Sequence, residues 1–192
     1  MKIVDAHVHL GTWREFDLSF SLEDLEVVMT QYRYSGAVVL PALEGHRFTA
    51  NQSLLKQVAG DSRFYFFAWV DGTTTQAELE SYGSDLRGLK FHPSISQKPI
   101  TEGRLSTALE FANKRSLPFL YHTGRTPISW PERLMAVVSS YPKVKFVMAH
   151  MGGNAYDRIN DTLQHWPTLP ENVWVESSTA RHPDLLKRAI AQ

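Results

Sequence analysis

Short apolar runs alternate with amphipathic stretches along the whole chain, and this alternation constrains the fold more than any other feature. The runs cover residues 3–10, 36–40, 64–70, 87–92, 117–122, 144–150 and 172–177. Each is nearly continuous in apolar, β-branched or aromatic residues. That composition suits parallel strands covered on both faces, since a half-exposed antiparallel strand would alternate apolar with polar. The stretches between carry helix signals. Ser21 stands three residues before Asp24 and opens the run Leu22, Leu25, Val28, Met29. Leu105, Ala108, Leu109 and Ala112 repeat at helical spacing, and Pro131 and Pro183 suit a first helical turn. Segments 50–59, 76–82 and 154–166 read as further helices. Strand, helix, strand in repetition implies right-handed βαβ units. The strands start roughly 30 residues apart, the length of one such unit. The expected fold is therefore α/β, a (β/α)8 barrel lacking its eighth strand. Closed barrels of this kind typically need about 250 residues and sometimes about 200, and this chain has 192. An open sheet leaves the first and seventh strands with bare edges, so a homo-oligomer that covers them is one expectation.

The bulk composition fits one domain spanning residues 1–192, because 43% hydrophobic residues suffice for one sizeable core. Net charge is zero with the histidines neutral. That leaves no electrostatic footprint for nucleic acid or an anionic membrane, so the expected partner is a small-molecule substrate. Cysteine is absent. Disulfides and thiolate chemistry are excluded, and a metal would have to sit on His, Asp, Glu or a modified Lys. No signal peptide or apolar span of about 18 residues is evident, so a soluble, cytoplasmic domain is expected.

The first strand concentrates the chemistry. Side chains alternate faces along a strand, so Val4, Ala6, Val8 and Leu10 point one way and Asp5, His7 and His9 the other. The apolar set suits packing under helices. The polar set is unusual for a barrel interior, which branched apolar side chains normally fill. Two imidazoles at this spacing have Cα atoms roughly 6.5 Å apart and can converge on one ion. They can equally be two partly exposed strand-end histidines. His92, His122 and His150 each end another apolar run, and in a parallel barrel those ends share the active-site face. Five of eight histidines thus fall at strand ends, while His46, His165 and His182 are scattered.

The order of these residues resembles a known family. Ile3-Val4-Asp5-Ala6-His7-Val8-His9-Leu10-Gly11 resembles the opening strand of the amidohydrolase superfamily. Gly88-Leu89-Lys90-Phe91-His92-Pro93 is similar to strand four of the amidohydrolase-2 branch, which holds aminocarboxymuconate-semialdehyde decarboxylase-like enzymes with lactonase and hydrolase relatives. Tyr121-His122-Thr123-Gly124 resembles the strand-five histidine, and Ala149-His150-Met151-Gly152-Gly153 the strand-six histidine with its glycines. The resemblance implies a TIM-barrel metal-dependent hydrolase. In it His7, His9 and His122 bind the metal, Zn²⁺ or another divalent ion such as Mn²⁺. His150 is a further ligand or the catalytic group that polarises the substrate. The family also places an aspartate at the end of strand eight, and nothing between Ser177 and Gln192 matches it. Asp5, Glu44 and Glu176 are the stand-in bases to weigh.

Lys90 shares parity with His92, so both should face the barrel interior. The resemblance offers Lys90 as a carboxylated metal bridge. As an ordinary cation it would instead bind a substrate carboxylate, the role favoured here beside His92. Arg14, Arg47 and Arg125, in loops after strands one, two and five, are candidates for gripping a carboxylate with both arms. Trp13, His46, Asn154 and Tyr156 lie in the same set of loops. The expected activity is hydrolysis of a C–N, ester or lactone bond in a small carboxylate-bearing molecule. The rivals are a non-oxidative decarboxylase of the same branch, a lyase, and an inactive metal- or ligand-binding barrel fragment.

Overall fold

The computed structural model describes residues 2–14, 17–43, 45–101 and 105–191. Eight strands form one sheet: β1 (Val4–Trp13), β2 (Leu18–Phe20), β3 (Gly36–Pro41), β4 (Phe64–Trp69), β5 (Leu86–Phe91), β6 (Pro118–Tyr121), β7 (Lys145–Met148) and β8 (Val173–Val175). Their order is β2-β1-β3-β4-β5-β6-β7-β8. All seven expected runs are strands, and every neighbouring pair from β1–β3 to β7–β8 is parallel.

β2 was not expected. Residues 13 and 14 were read as a loop, but β1 continues to Trp13 and the chain returns antiparallel, pairing Gly11 with Phe20 and Trp13 with Leu18. Gly11 takes φ 119°, and a Cβ there would stand 3.2 Å from that of Ala42. The positive φ and the close approach to Ala42 are what call for a glycine here.

The helices are α1 (Leu22–Tyr32), α2 (Arg47–Val58), α3 (Gln76–Ser81), α4 (Pro93–Ser96), α5 (Ser106–Arg115), α6 (Pro131–Val138), α7 (Tyr156–His165) and α8 (Pro183–Ile190). α1 starts on a capping box: Ser21 Oγ accepts the Asp24 N–H at 3.1 Å, and Asp24 accepts the Ser21 N–H at 2.9 Å. Pro131 and Pro183 open α6 and α8 as expected. Among the described residues no helix is long and apolar enough to cross a membrane.

Two layers of apolar packing hold the strands. The outer one sets Leu25, Leu54, Leu79, Ala108, Leu109 and Leu134 of the helices against Val39, Phe66, Leu89, Phe119 and Phe146 of the sheet. The inner one is smaller, with Leu40, Phe67, Leu120 and Ala149 flanked by Val38 and Val147. Gly88 has no side chain to offer, and a Cβ there would lie 2.4 Å from the Phe67 ring. Phe67 thus occupies the interior that β5 leaves open and plugs the floor below Lys90. Truncating a buried Phe of this kind costs roughly 3–5 kcal/mol.

The sheet does not close, because no ladder joins β8 to β1 among the described residues. The seam changes one expectation. Leu10 is buried and Val8 half-buried, but Val4 is 42% exposed and Ala6 is exposed as well. They line a groove of about 590 Å³ shared with Tyr34, Trp166, Leu186 and Ile190. The apolar face of that half of β1 is thus only partly covered.

Candidate metal centre

The carboxyl ends of the strands bring six aromatic rings into a closed circlet. His7 and His9 of β1 lie 5.0 Å apart by ring centroids, His9 and Trp69 5.7 Å, and Trp69 and His92 5.7 Å. His92 stacks on His122 at 3.4 Å, His122 meets His150 edge-on at 4.8 Å, and His150 returns to His7 at 5.2 Å. Lys90 enters this circlet from β5. Its side chain is wholly buried, with Nζ 3.3 Å from His7 Nε2 and 5.9 Å from the Trp69 ring centroid.

Hydrogen-bond partners fix where the imidazole protons sit. His7 Nδ1 faces Glu176 Oε1 at 2.9 Å, and a carboxylate only accepts. His9 Nδ1 faces the Pro41 carbonyl at 3.2 Å, which also only accepts. The same carbonyl takes the Trp69 indole N–H at 2.7 Å. Both histidines therefore carry Nδ1–H, and both Nε2 atoms present lone pairs. Those two lone pairs meet at 3.0 Å. Two acceptors buried face to face forfeit about 1–3 kcal/mol each unless something positive stands between them. The Lys90 amine relieves this only in part, through its contact with His7.

The second pair differs. His150 Nε2 lies 3.1 Å from His122 Nδ1. His150 Nδ1 reaches the Ser178 carbonyl at 3.1 Å, so its proton is on that side and Nε2 accepts. His122 donates its Nδ1–H into it, and this pair is satisfied as an ordinary hydrogen bond.

All five histidines are held neutral. Burial is the first cause in each case, and the charge of Lys90 also contributes at each one. His7 is pulled down to about 4 and His92 to about 3. His9 and His122 fall well below the usual imidazole range. Lys90 itself is brought down to about 7 by burial, against the opposing pull of Glu176. Neutral imidazole is the form that ligates a metal.

Glu176, just past β8, ties the two pairs together. Its Oε1 accepts from His7 Nδ1–H, from the His150 backbone N–H at 3.0 Å and from Ser178 Oγ–H at 2.8 Å. Its Oε2 accepts the Ser178 backbone N–H. Three of these four donors crowd Oε1 and one meets Oε2, so it is Oε1 that is saturated. Despite burial, the partners hold its acid pKa at about 2. His150 and Met151 both sit in left-handed backbone, at φ 60° and 54°. Strain of that kind costs on the order of 1–3 kcal/mol per residue and clusters at functional sites. The Glu176 side chain and its own carbonyl, which takes the Met151 N–H at 2.9 Å, hold that turn in place. Gly152 is required beside it, since a Cβ there would fall 1.8 Å from Thr162 Oγ1.

Among the described residues, the one group of three His, Asp or Glu ligand atoms within 4.8 Å of one another is His7, His150 and Glu176. That group meets on the Nδ1 side, where every atom already has a hydrogen-bond partner. The unmet lone pairs are on the Nε2 side, between His7 and His9.

The structure thus brings His7 to His9 and His122 to His150, with His92 and Lys90 in the same circlet. His122 is not within that close group. Arg47 is not in a loop. It is the first residue of α2, buried, ion-paired with Asp71 at 3.1 Å and Glu78 at 2.9 Å, and donates to the Trp69 carbonyl at 3.1 Å. Its guanidinium is occupied inside the protein. Arg14 and Arg125 are exposed at the rim. Asp5 accepts the His7 backbone N–H at 3.0 Å. Glu44 lies outside the described residues. Trp69 and Ser178 were not anticipated, and Glu176 was weighed as a base but not as a partner of His7. A tryptophan closing an apolar run looks like core, and Glu176's role needs the distance between β8 and β1.

Fold and cluster together define the class, an incomplete α/β barrel with an imidazole-rich centre at the carboxyl ends of its strands. The chain belongs to the amidohydrolase family, whose amidohydrolase-2 model matches residues 4–189, and it is an enzyme. No functionally curated protein matches the sequence significantly. Several solved structures share the fold. An amidohydrolase from Burkholderia multivorans with zinc bound superposes with a TM-score of 0.70 at 13% identity, over 100% of this chain and 80% of that one. A probable 2-pyrone-4,6-dicarboxylic acid hydrolase from Acinetobacter baumannii, with citric acid bound, gives 0.70 at 15% identity over 98% and 76%. The 4-oxalomesaconate hydratase of Rhodopseudomonas palustris gives 0.62 at 16% over 97% and 76%. Identities this low show a common fold and no more.

Proposed function

We propose that this enzyme hydrolyses a C–N, ester or lactone bond in a small carboxylate-bearing substrate, at a divalent metal held by His7 and His9 with His122 as the third ligand. The observation that carries the reading is the pair of Nε2 lone pairs facing each other at 3.0 Å. Two imidazoles at about 2.0–2.1 Å from one tetrahedral ion stand roughly 3.3 Å apart, so the pair fits a metal with little adjustment. An all-imidazole donor set favours Zn²⁺, with Mn²⁺ a second choice. Such an ion, when bound, polarises a carbonyl and makes water acidic enough to react near neutral pH.

The chain's own residues do the positioning. Pro41 and Glu176 orient His9 and His7 from behind. His150 holds its Nδ1 proton on Ser178, and its Nε2, which accepts from His122 in the structure, takes a proton and returns it once His122 turns to the metal. Lys90 and His92 meet the substrate carboxylate inside the circlet, and the exposed Arg14 and Arg125 meet it at the rim. Arg47 takes no part, because its partners are within the protein. The names of two structural relatives, a dicarboxylic acid hydrolase and an oxalomesaconate hydratase, concern carboxylate compounds and support that substrate class.

The test is zinc titration followed by turnover on a panel of lactones, esters and amides of di- and tricarboxylic acids. The expected result is one ion per chain and hydrolysis that a chelator abolishes and zinc restores. Carbon dioxide release from aromatic or muconate-type acids would assign decarboxylation. Bound zinc without turnover would leave a binding protein, and activity in rigorously metal-free protein would sink the metal assignment.

A further inference from the structure

We infer that Glu176 is a positioning residue, a carboxylate that locks His7 in the Nδ1–H tautomer and so aims its Nε2 lone pair at His9. For its functional consequence this rests on the metal-centre reading above. Three observations carry it. Glu176 Oε1 is 2.9 Å from His7 Nδ1, and both side chains are nearly inaccessible, at 4% for His7 and 9% for Glu176. Ser178 fixes the carboxylate's orientation by donating to both of its oxygens, Oγ–H to Oε1 and N–H to Oε2. The third Oε1 donor is the backbone N–H of His150, 26 residues earlier in the chain, so one oxygen sets the relation of β1 to the end of β7.

The alternatives for Glu176 fail on its position. As a general base it would have to reach water held at the Nε2 atoms, and it stands behind the His7 ring, against Nδ1. As a ligand to an ion between His7 and His9 it is on the wrong side of the His7 ring, at Nδ1 and not at the Nε2 that faces His9. What remains is the arrangement in which a carboxylate behind an imidazole fixes the ring and its tautomer. His9 has a neutral carbonyl in that place, so the two histidines are held by unlike partners. That difference supplies an internal control.

The experiment is ¹⁵N NMR of histidine-labelled, metal-free protein, wild type beside Glu176→Leu and Glu176→Gln, with zinc affinity measured on each. Wild-type His7 should show a protonated Nδ1 and a bare Nε2. In Glu176→Leu that pattern should be lost at His7 and kept at His9, and zinc affinity should fall roughly 10–100-fold. Glu176→Gln retains an acceptor oxygen and should restore the His7 tautomer and most of the affinity. A His7 that carries Nε2–H in the wild type overturns the inference without any variant. So does a His7 unchanged in Glu176→Leu, or His7 and His9 changing together, which would mark a general disturbance. Failure of wild-type protein to bind zinc would sink the metal reading, while the tautomer spectra still decide this one.

Discussion

Two imidazole pairs sit in one circlet at nearly the same separation, 3.0 Å between His7 and His9 and 3.1 Å between His122 and His150. Distance does not tell them apart. The groups behind them do. Behind His7 and His9 stand two obligate acceptors, so both protons point away from the gap and two lone pairs are left inside it. Behind His150 stand the Ser178 carbonyl and the Ser178 and Thr179 hydroxyls, and His122 donates into its Nε2, so the gap already holds a proton. The lesson is that a cluster of histidines becomes a cation site through the acceptors around it, since these decide which atoms arrive bare.

The sharpest way to break this contrast is zinc titration of alanine variants. His7→Ala and His9→Ala should each lower zinc affinity by more than the roughly 100-fold typical of losing a supporting partner. His122→Ala should cost about tenfold, since its ring must leave His150 to contribute. Equal losses at all three sites would make His122 a full partner and erase the difference between the pairs.

Lys90→Met tests what occupies the first gap when no ion does. A unit charge a few ångströms from the ion is worth a few kcal/mol in a protein-like dielectric, and Lys90 titrates near 7. Its removal should tighten zinc about tenfold at neutral pH and weaken binding of a tricarboxylate such as citrate. Unchanged zinc affinity would remove Lys90 from the site's electrostatics.

The smallest effect expected is on thermal stability of the metal-free protein. The His7 pKa is about 4 in the folded chain against 6.5 for the free side chain. Between those values the unfolded state binds more protons, so stability falls as pH falls through that window. Glu176, held at about 2 instead of 4.5, adds a second loss below pH 4.5. Calorimetry should show the melting temperature dropping by several degrees from pH 6.5 to 4, with zinc-loaded protein more resistant because the metal keeps His7 neutral. A flat profile over that window would mean that the histidines are not held buried and neutral.

Much of this was legible in the chain. Unbroken apolar runs became parallel strands because a strand covered on both faces has no polar side to write. The parity of Lys90 with Gly88 and His92 set it inside, and Leu89 and Phe91 outside, because side chains alternate whatever the fold around them. Ser21, Pro131 and Pro183 marked helix starts through local backbone chemistry. β2 was missed because a three-residue strand carries almost no periodic signal. Arg47 was misplaced because a loop arginine and a helix-start arginine read alike, and Asp71 and Glu78, which capture it, lie 24 and 31 residues away.

Sequence by itself determined the family, the seven parallel strands and the five strand-end histidines, all of which follow from local pattern and order. Tertiary structure alone decided which nitrogens arrive bare, which pair is already satisfied and that Glu176 stands behind His7. Those facts depend on contacts between residues up to 171 positions apart, such as Ser178 Oγ and His7 Nδ1. A proton's place on an imidazole is set by what lies across the gap, and no local pattern in the chain records that.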